Sequence, residues 1–477
     1  MRSRLVLMLV VALLGGCVLP PHETPHPLAL QGEQVGLHGA AVTPVDAGWW
    51  KSFDDPQLDR LIRLGLDASP TLAEAQARVA AALGQVQTAH AGLLPHADLS
   101  ASVSYQRAPA NYFIPPPYAA HTFWLGQAGA SLGWDLDFWG RQADALHGAQ
   151  ALARAADLDR EQARLMLAGA ITQTYVELYR QRALAAIAQR SQVQRQHIVD
   201  ITRERVAAGL DTRLELRDAE GQVPQAQVAR EQAQATATLA VHELAALTGQ
   251  GADAYAAIAA PTLHAEAALP VPEALPINLL ARRPDVLAAR QQIEAADAQR
   301  LAARAAFYPD VNLRGLAGFG AFGLHNLVEW SARGYGAGPF LSLPLFDGGR
   351  LRGDYRTSEA QLDLAIATYD DTVVRAVQQV ADQLTSLDAL AREHSDQQRT
   401  LEATEAAYSL AEERYRAGLA SYLSVLNAET QVLLARQTMV DIVAAQINSR
   451  VTLLLAVGGS FDPHGDVSPS TLTRTVP

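Results

Sequence analysis

The chain has 477 residues, of which 49% are apolar and only 6% aromatic, and its formal charge is −12. Such an acidic chain lacks the cationic surface that neutralises phosphates, so nucleic acid is excluded as a partner. Lys51 is the sole lysine, which closes off Schiff-base chemistry and Walker-type phosphate loops, since both need a placed lysine.

At the N-terminus, Arg2 and Arg4 precede an unbroken apolar run from Leu5 to Leu14, followed by small residues. This is the pattern of a secretory signal peptide, too short to span a bilayer, and residues 1–16 are assigned to it. Leu14-Gly15-Gly16-Cys17 resembles the lipobox of bacterial lipoproteins, in which the cysteine is lipidated and becomes the mature N-terminus. Cys17 is the only cysteine, so neither an intramolecular disulfide nor a multi-cysteine metal site can form. Val18 stands where that family's inner-membrane retention signal carries Asp, which points to the outer membrane. Residues 17–68 are read as a lipidated N-terminal segment, with no cofactor expected beyond the covalent lipid on Cys17.

From residue 69 the chain is written twice. ERVAAGLDTRLELRDAE (204–220) returns as ERYRAGLASYLSVLNAE (413–429), an ungapped offset of 209 residues. Pro70 and Pro95 match Pro284 and Pro309 at an offset of 214, whereas Gly140-Arg141 matches Gly349-Arg350 and Gly249 matches Gly458 at 209. The first copy therefore carries a longer insert between Pro95 and Gly140, placed in the proline-rich loop 106–122. The two repeats are 69–249 and 283–458, joined by a connector at 250–282 and followed by a tail at 459–477.

Within each repeat the order is the same. A helix of roughly 24 residues opens just after a proline, a position that tolerates the missing N–H. Two strand candidates follow, a hairpin at about 97–137 and another at about 310–347. A very long helical hairpin closes each copy, 141–248 in the first and 350–456 in the second, turning at Ala-Gly-Leu. At ~1.5 Å per residue its first limb spans about 100 Å. Alanine-rich seams interleaved with Glu, Gln and Arg suit coiled-coil packing. In the first copy's returning helix Gly221 and Pro224 predict a kink; Thr430 and Leu433 occupy those places in the second.

The strand candidates alternate. Leu99, Ala101, Val103 and Tyr105 oppose Ser100, Ser102 and Ser104, and Ala128, Ala130, Leu132 and Trp134 oppose Gln127, Gly129, Ser131 and Gly133. Val311 and Leu313 oppose Asn312 and Arg314, and Leu341, Leu343 and Leu345 oppose Phe340, Ser342 and Pro344. Membrane strands alternate in this way, but four strands cannot close a barrel, and an open edge is not tolerated in lipid. If these strands span a membrane, several chains share one barrel. Two half-buried soluble hairpins are the other reading of the same pattern.

WWKSFDDPQLDRLI (49–62), SLGWDLDFWGR (131–141), LLARRPDVLAAR (279–290), GPFLSLPLFDGGRLRG (338–353) and the two Ala-Gly-Leu turns together resemble the outer-membrane factors, the TolC-like proteins, and within them the lipidated efflux branch. The resemblance runs from about residue 45 to about 460. It implies a mostly α fold with membrane β structure. Three chains build a twelve-stranded β-barrel, four strands each, continuing into a long periplasmic α-helical barrel with a mixed belt that draws on the segment after Cys17, the 250–282 connector and the tail. It implies an outer-membrane exit channel of a Gram-negative tripartite efflux pump: a homotrimer seated in outer-membrane lipid, gripped by a periplasmic adaptor (membrane fusion) protein and fed by a proton-driven inner-membrane transporter.

The resemblance also assigns the turns to the tunnel tip. Gly209 and Gly418 would let the chain leave the long helices in a left-handed conformation, exposing Leu210 and Leu419 to the adaptor. Family gates place acids six and nine residues past the second glycine; here those are Ser424 and Asn427, both neutral. Their first-copy equivalents are Glu215 and Asp218, with Asp211 four residues before Glu215 and expected on the same helical face. Tyr415 sits where the family has a tyrosine that links neighbouring helices in the shut state. Packing alone, and for the acids a solvated helix face, are the plainer readings of these residues.

HETPH (22–26) and GASLG (129–133) match HExxH and GxSxG in letters only: a proline interrupts the first, where the zinc motif needs a helix, and the second lies inside a strand candidate rather than at a strand-to-helix turn. No Walker motif occurs, and His147, His197, His242 and His394 are dispersed along helices, so no enzyme and no metal site is expected. Two other functions fit the same sequence: the channel of a type I protein secretion system, and a lipidated periplasmic coiled-coil scaffold without a pore.

Overall fold

The computed structural model describes residues 26, 29–37, 48–111, 114–116, 118–263 and 278–461. The signal peptide, Cys17 and nearly all of the tail lie outside the described residues. The helices are α1 (Pro56–Ala68), α2 (Pro70–Ala91), α3 (Arg141–Ala207), α4 (Arg213–Leu247), α5 (Pro284–Ala305), α6 (Arg350–Arg416) and α7 (Tyr422–Ala456). The strands are β1 (His96–Arg107), β2 (Thr122–Leu136), β3 (Asp310–Phe322) and β4 (Arg333–Ser342). Helix α1 falls inside the segment read from sequence only as an N-terminal belt. The chain divides into two units, one holding 78–156 and 288–369, the other 30–77, 157–287 and 370–477.

In the first unit all four strands form one antiparallel sheet in the order β1-β2-β3-β4. Directly opposed residues share a face, so the register fixes the two surfaces. Leu99, Ala130, Ala317 and Tyr335 make one row, and Ser100, Gly129, Gly318 and Gly334 make the next. One face is thus apolar, and its Leu99, Val103, Tyr105, Trp124, Leu132 and Tyr335 are all exposed. The other is mostly serine, glycine and a few charged residues, with Phe123, Leu125, Leu316, Phe322 and Phe340 among them. The outer edges of β1 and β4 have no strand partner among the described residues.

The fourth strand lies earlier than the Leu341, Leu343, Leu345 alternation suggests. It runs through the glycine-rich 333–338 and stops at Ser342, before Pro344. A proline has no N–H for the ladder, and Pro339 is accommodated because β4 is an edge strand. At the sheet's lower margin Trp139 donates its indole N–H to the Pro309 carbonyl at 2.8 Å and stacks on Tyr308. Asp137 and Asp347 accept backbone N–H groups at the starts of α3 and α6, satisfying donors that a helix N-terminus leaves free.

The second unit is helical. Buried positions on α4 fall at Ala219, Ala226, Ala233 and Ala240, with Ala237 between them and Leu244 beyond, the seven-residue period of a knobs-into-holes seam. On α7, Ala435, Ile442, Ser449 and Ala456 keep the same period. Although α7 is long and apolar enough to cross a membrane, its buried stripe packs within this unit: Gln173 on α3 donates to Thr452 and Ser449 donates to Gln383 on α6. Helix α4 continues through Gly221 and Pro224 without interruption.

A denser core gathers where the repeats close. Trp49, Trp50, Phe53, Leu58, Ile62, Ile171, Leu244 and Val451 are buried together. Asp55 caps α1 by accepting the Gln57 N–H at 2.9 Å, and the same carboxylate accepts from the Tyr175 hydroxyl and the Thr262 N–H. A glycine after each repeat's last helix lies against the residue just before that repeat begins. A Cβ at Gly249 would strike the Ala68 carbonyl, and one at Gly458 the Arg282 carbonyl, with φ at +71° and +95°.

Candidate functional site: the helical turns

Helix α3 ends at Ala207, and the Leu210 N–H returns to the Arg205 carbonyl at 2.9 Å while Gly209 takes a φ of +73°. The second turn repeats this, with the Leu419 N–H on the Arg414 carbonyl at 2.8 Å and Gly418 at +78°. These are the left-handed stops that only glycine adopts without steric cost. Leu210 and Leu419 are 65% and 79% exposed, and Leu214 and Leu423 beside them are exposed as well. Two apolar turns thus face solvent.

The acids are not arranged as one helical face. Asp211 lies in the turn, because Thr212 is the N-cap of α4. Glu215 closes a capping box: its carboxylate accepts the Thr212 N–H at 2.6 Å, and the Thr212 hydroxyl accepts the Glu215 N–H. A capping box satisfies two otherwise free donors, so Glu215 has a local structural task. Asp218 is exposed and, among the described residues, makes no hydrogen bond or ion pair. Ser424 and Asn427 are exposed, and Ser424 shares a 3.2 Å hydroxyl contact with Ser421.

Asp211 instead joins a buried cluster that links the two turns. Arg205 holds it with two bonds, at 2.7 and 3.1 Å, and also donates to the Tyr415 carbonyl at 2.8 Å. The Tyr415 side chain is fully buried. Its hydroxyl donates to Asp211 at 2.6 Å and lies 2.9 Å from the Thr202 hydroxyl, while the Arg205 guanidinium covers its ring at 4.6 Å. The Arg205 bonds hold the Asp211 carboxyl below its ordinary range. Burial, then the bond to Asp211, pushes the Tyr415 hydroxyl up to about 12. Both effects favour the protonation states that make the cluster, ionised Asp211 and neutral Tyr415.

Sequence reasoning missed Arg205 and Thr202, and it missed a second linkage farther along the hairpins. Arg195 on α3 donates to Glu429 on α7 at 2.9 Å and to the Gln222 carbonyl on α4 at 2.8 Å, and Ser191 adds a bond to Glu429. The Arg195 and Glu429 side chains are 9% and 7% exposed. The available signal was Glu429 itself, the last shared residue of the repeated phrases. Among the described residues no group of His, Cys, Asp and Glu is placed to hold a metal ion.

Comparison with known proteins gives one consistent answer. The profile of the family described as outer membrane efflux protein matches residues 61–250 and 275–459. The multidrug resistance outer membrane protein MdtP of Escherichia coli K12 is 30% identical, over 96% of this chain and 97% of its own. Outer membrane protein OprJ of Pseudomonas aeruginosa is 30% identical over 95% of each chain. The crystal structure of VceC from Vibrio cholerae superposes with a TM-score of 0.83 at 33% identity, covering 88% of this chain and all of VceC.

Proposed function

This chain belongs to the outer membrane efflux protein family, and from that premise we propose how its parts serve an efflux exit channel. It conducts small molecules passively outward through the outer membrane of a Gram-negative bacterium. Three copies each contribute β1–β4 to a twelve-stranded barrel, with the apolar row of Leu99, Ala130, Ala317 and Tyr335 toward lipid and the serine and glycine row toward the lumen. The long helices form the periplasmic tunnel. Cys17 carries the lipid that anchors the mature chain.

The single observation that carries this reading is the four-stranded sheet itself. A soluble sheet covers its apolar face, yet here the whole row is exposed, and two strand edges await partners. Lipid covers the first and neighbouring copies pair the second, which is how a barrel abolishes its edges.

At the tip, Leu210, Leu214, Leu419 and Leu423 offer the apolar contacts that an adaptor protein grips, and a proton-driven inner-membrane transporter supplies the cargo. The Arg205–Asp211–Tyr415 cluster is the latch that holds the two hairpins together in the shut tip. Of the gate acids expected from the sequence, Asp218 alone remains free to face the pore; Asp211 serves the latch and Glu215 the helix cap. Three symmetry-related Asp218 carboxylates would bind cations at the entrance.

The test is reconstitution. Purified full-length protein is expected to run as a heat-modifiable trimer and to give discrete conductance steps in planar bilayers. Folded trimers that insert and conduct nothing would refute the channel; a detergent-free monomer from the Cys17→Ala chain would favour a scaffold.

A further inference from the structure

Arg314 is unlike the protein's other well-placed arginines. Arg195, Arg205, Arg283 and Arg300 are each held by a carboxylate. Among the described residues Arg314 has no ion pair, and its guanidinium instead lies over the Phe340 ring, 4.2 Å from the centroid. It stands on β3 with glycine on either side, Gly133 on β2 and Gly338 on β4. The next member of the row is His96 on β1, whose ring fills the space that a side chain at Gly133 would need. Together with Ser131, Asp135 and Asn312 these residues line a cavity of about 670 Å³ on the polar face of the sheet.

We propose that this cavity is an anion-binding station on the lumen wall, taking small planar carboxylates as they pass. The inference rests on the channel reading above. Stacking on Phe340 occupies one face of the guanidinium and fixes its plane. The edge donors remain free, and their fork matches a carboxylate in bidentate geometry. The bare glycine backbone on both sides leaves room for a flat ring to lie against the wall. His96, Ser131 and Asn312 supply further polar contacts around it. Asp98, Asp135 and Asp310 share this face, and their charge keeps the station local and weak, as a conduit requires: cargo must enter and leave.

The experiment measures single-channel conductance of full-length trimers in planar bilayers, with sodium benzoate as the probe and sodium acetate and neutral benzamide as controls. Benzoate is expected to reduce or interrupt the wild-type current more than acetate does, with benzamide inert. In Arg314→Gln the apparent benzoate affinity should fall about tenfold, the loss of one charge-assisted contact, while conductance in plain salt persists. Phe340→Leu retains the cation but frees its plane, and should weaken benzoate severalfold and acetate in step with it. If Arg314→Gln fails to assemble, Phe340→Leu decides alone, and undiminished benzoate block in it overturns the station. Equal responses to benzoate and benzamide in the wild type overturn it directly. Wild-type trimers that conduct nothing would remove the channel reading, and the station with it.

Discussion

Glu220 and Glu429 close the two repeated phrases with the same residue, yet their surroundings are opposite. Glu429 is buried on Arg195, whereas Glu220 is 34% exposed and bonds Arg217 one helical turn away. Duplication has supplied one carboxylate to the interior and one to the surface. The buried copy is tied to α3, which ties α4 in turn through the Gln222 carbonyl.

Removing one partner of a buried ion pair strands the other charge without water. Glu429→Ala should therefore destabilise the chain by about 3–5 kcal/mol, and the paired replacement Arg195→Met with Glu429→Leu should recover most of the loss. The thermal transition of the trimer, followed by its gel mobility after heating, reads both. A double variant no more stable than Glu429→Ala would contradict the account.

Tyr415→Phe keeps the buried ring and deletes the hydroxyl that joins Asp211. Asp211 retains Arg205, so the fold should lose only about 1–2 kcal/mol. The open probability of single channels should nonetheless rise, because only the Arg205 bond to the Tyr415 carbonyl then joins the two turns. Unchanged gating in a well-folded Tyr415→Phe trimer would mean that the tyrosine only packs.

The cluster has a defined pH range. Asp211 is depressed in the folded state, so its contribution is present above the ordinary carboxylate value and is lost as pH falls through the lowered one. Tyr415 is raised to about 12, so its contribution is complete below the ordinary phenol value of about 10 and is lost as pH climbs through 12. Resting conductance should stay flat from roughly pH 5 to pH 9 and increase only beyond those limits. In Tyr415→Phe the alkaline rise should vanish while the acid rise remains.

Gly209→Ala and Gly249→Ala separate backbone strain from collision. Nothing lies within 4 Å of a Cβ at Gly209, so alanine there should cost only the left-handed conformation, about 1–2 kcal/mol. At Gly249 the same strain is joined by contact with the Ala68 carbonyl, and the loss should be larger. Equal thermal shifts in the two variants would argue against the close approach.

Much of the architecture was legible because it is periodic. Two-residue alternation marked β1, β2 and the start of β3, and alanine-rich seams marked the long helices. The strand 333–342 was hidden because glycine carries no side chain to alternate, so the apolar leucines beyond it drew the eye. At the two helical turns, Gly209, Gly418, Leu210 and Leu419 could be read because a turn needs glycine and spends its next residue on the surface. The latch could not. Asp211 pairs with Arg205 six residues back and with Tyr415 from the other repeat, and no spacing rule announces such a contact. The capping box of Thr212 and Glu215 was readable in principle, since its Thr-x-x-Glu signature is local.

Both repeats spend 67 residues on the outgoing helix and 35 on the return. An α-helix turns about 100° per residue, so a single insertion in one limb would swing its buried stripe to the outside for the rest of its length. With each returning helix fastened by a glycine at its far end, the slip has nowhere to dissipate. The two hairpins therefore behave as matched rulers. Changes of length survive only as whole heptads made in both repeats together, whereas sequence on the exposed flanks can drift freely.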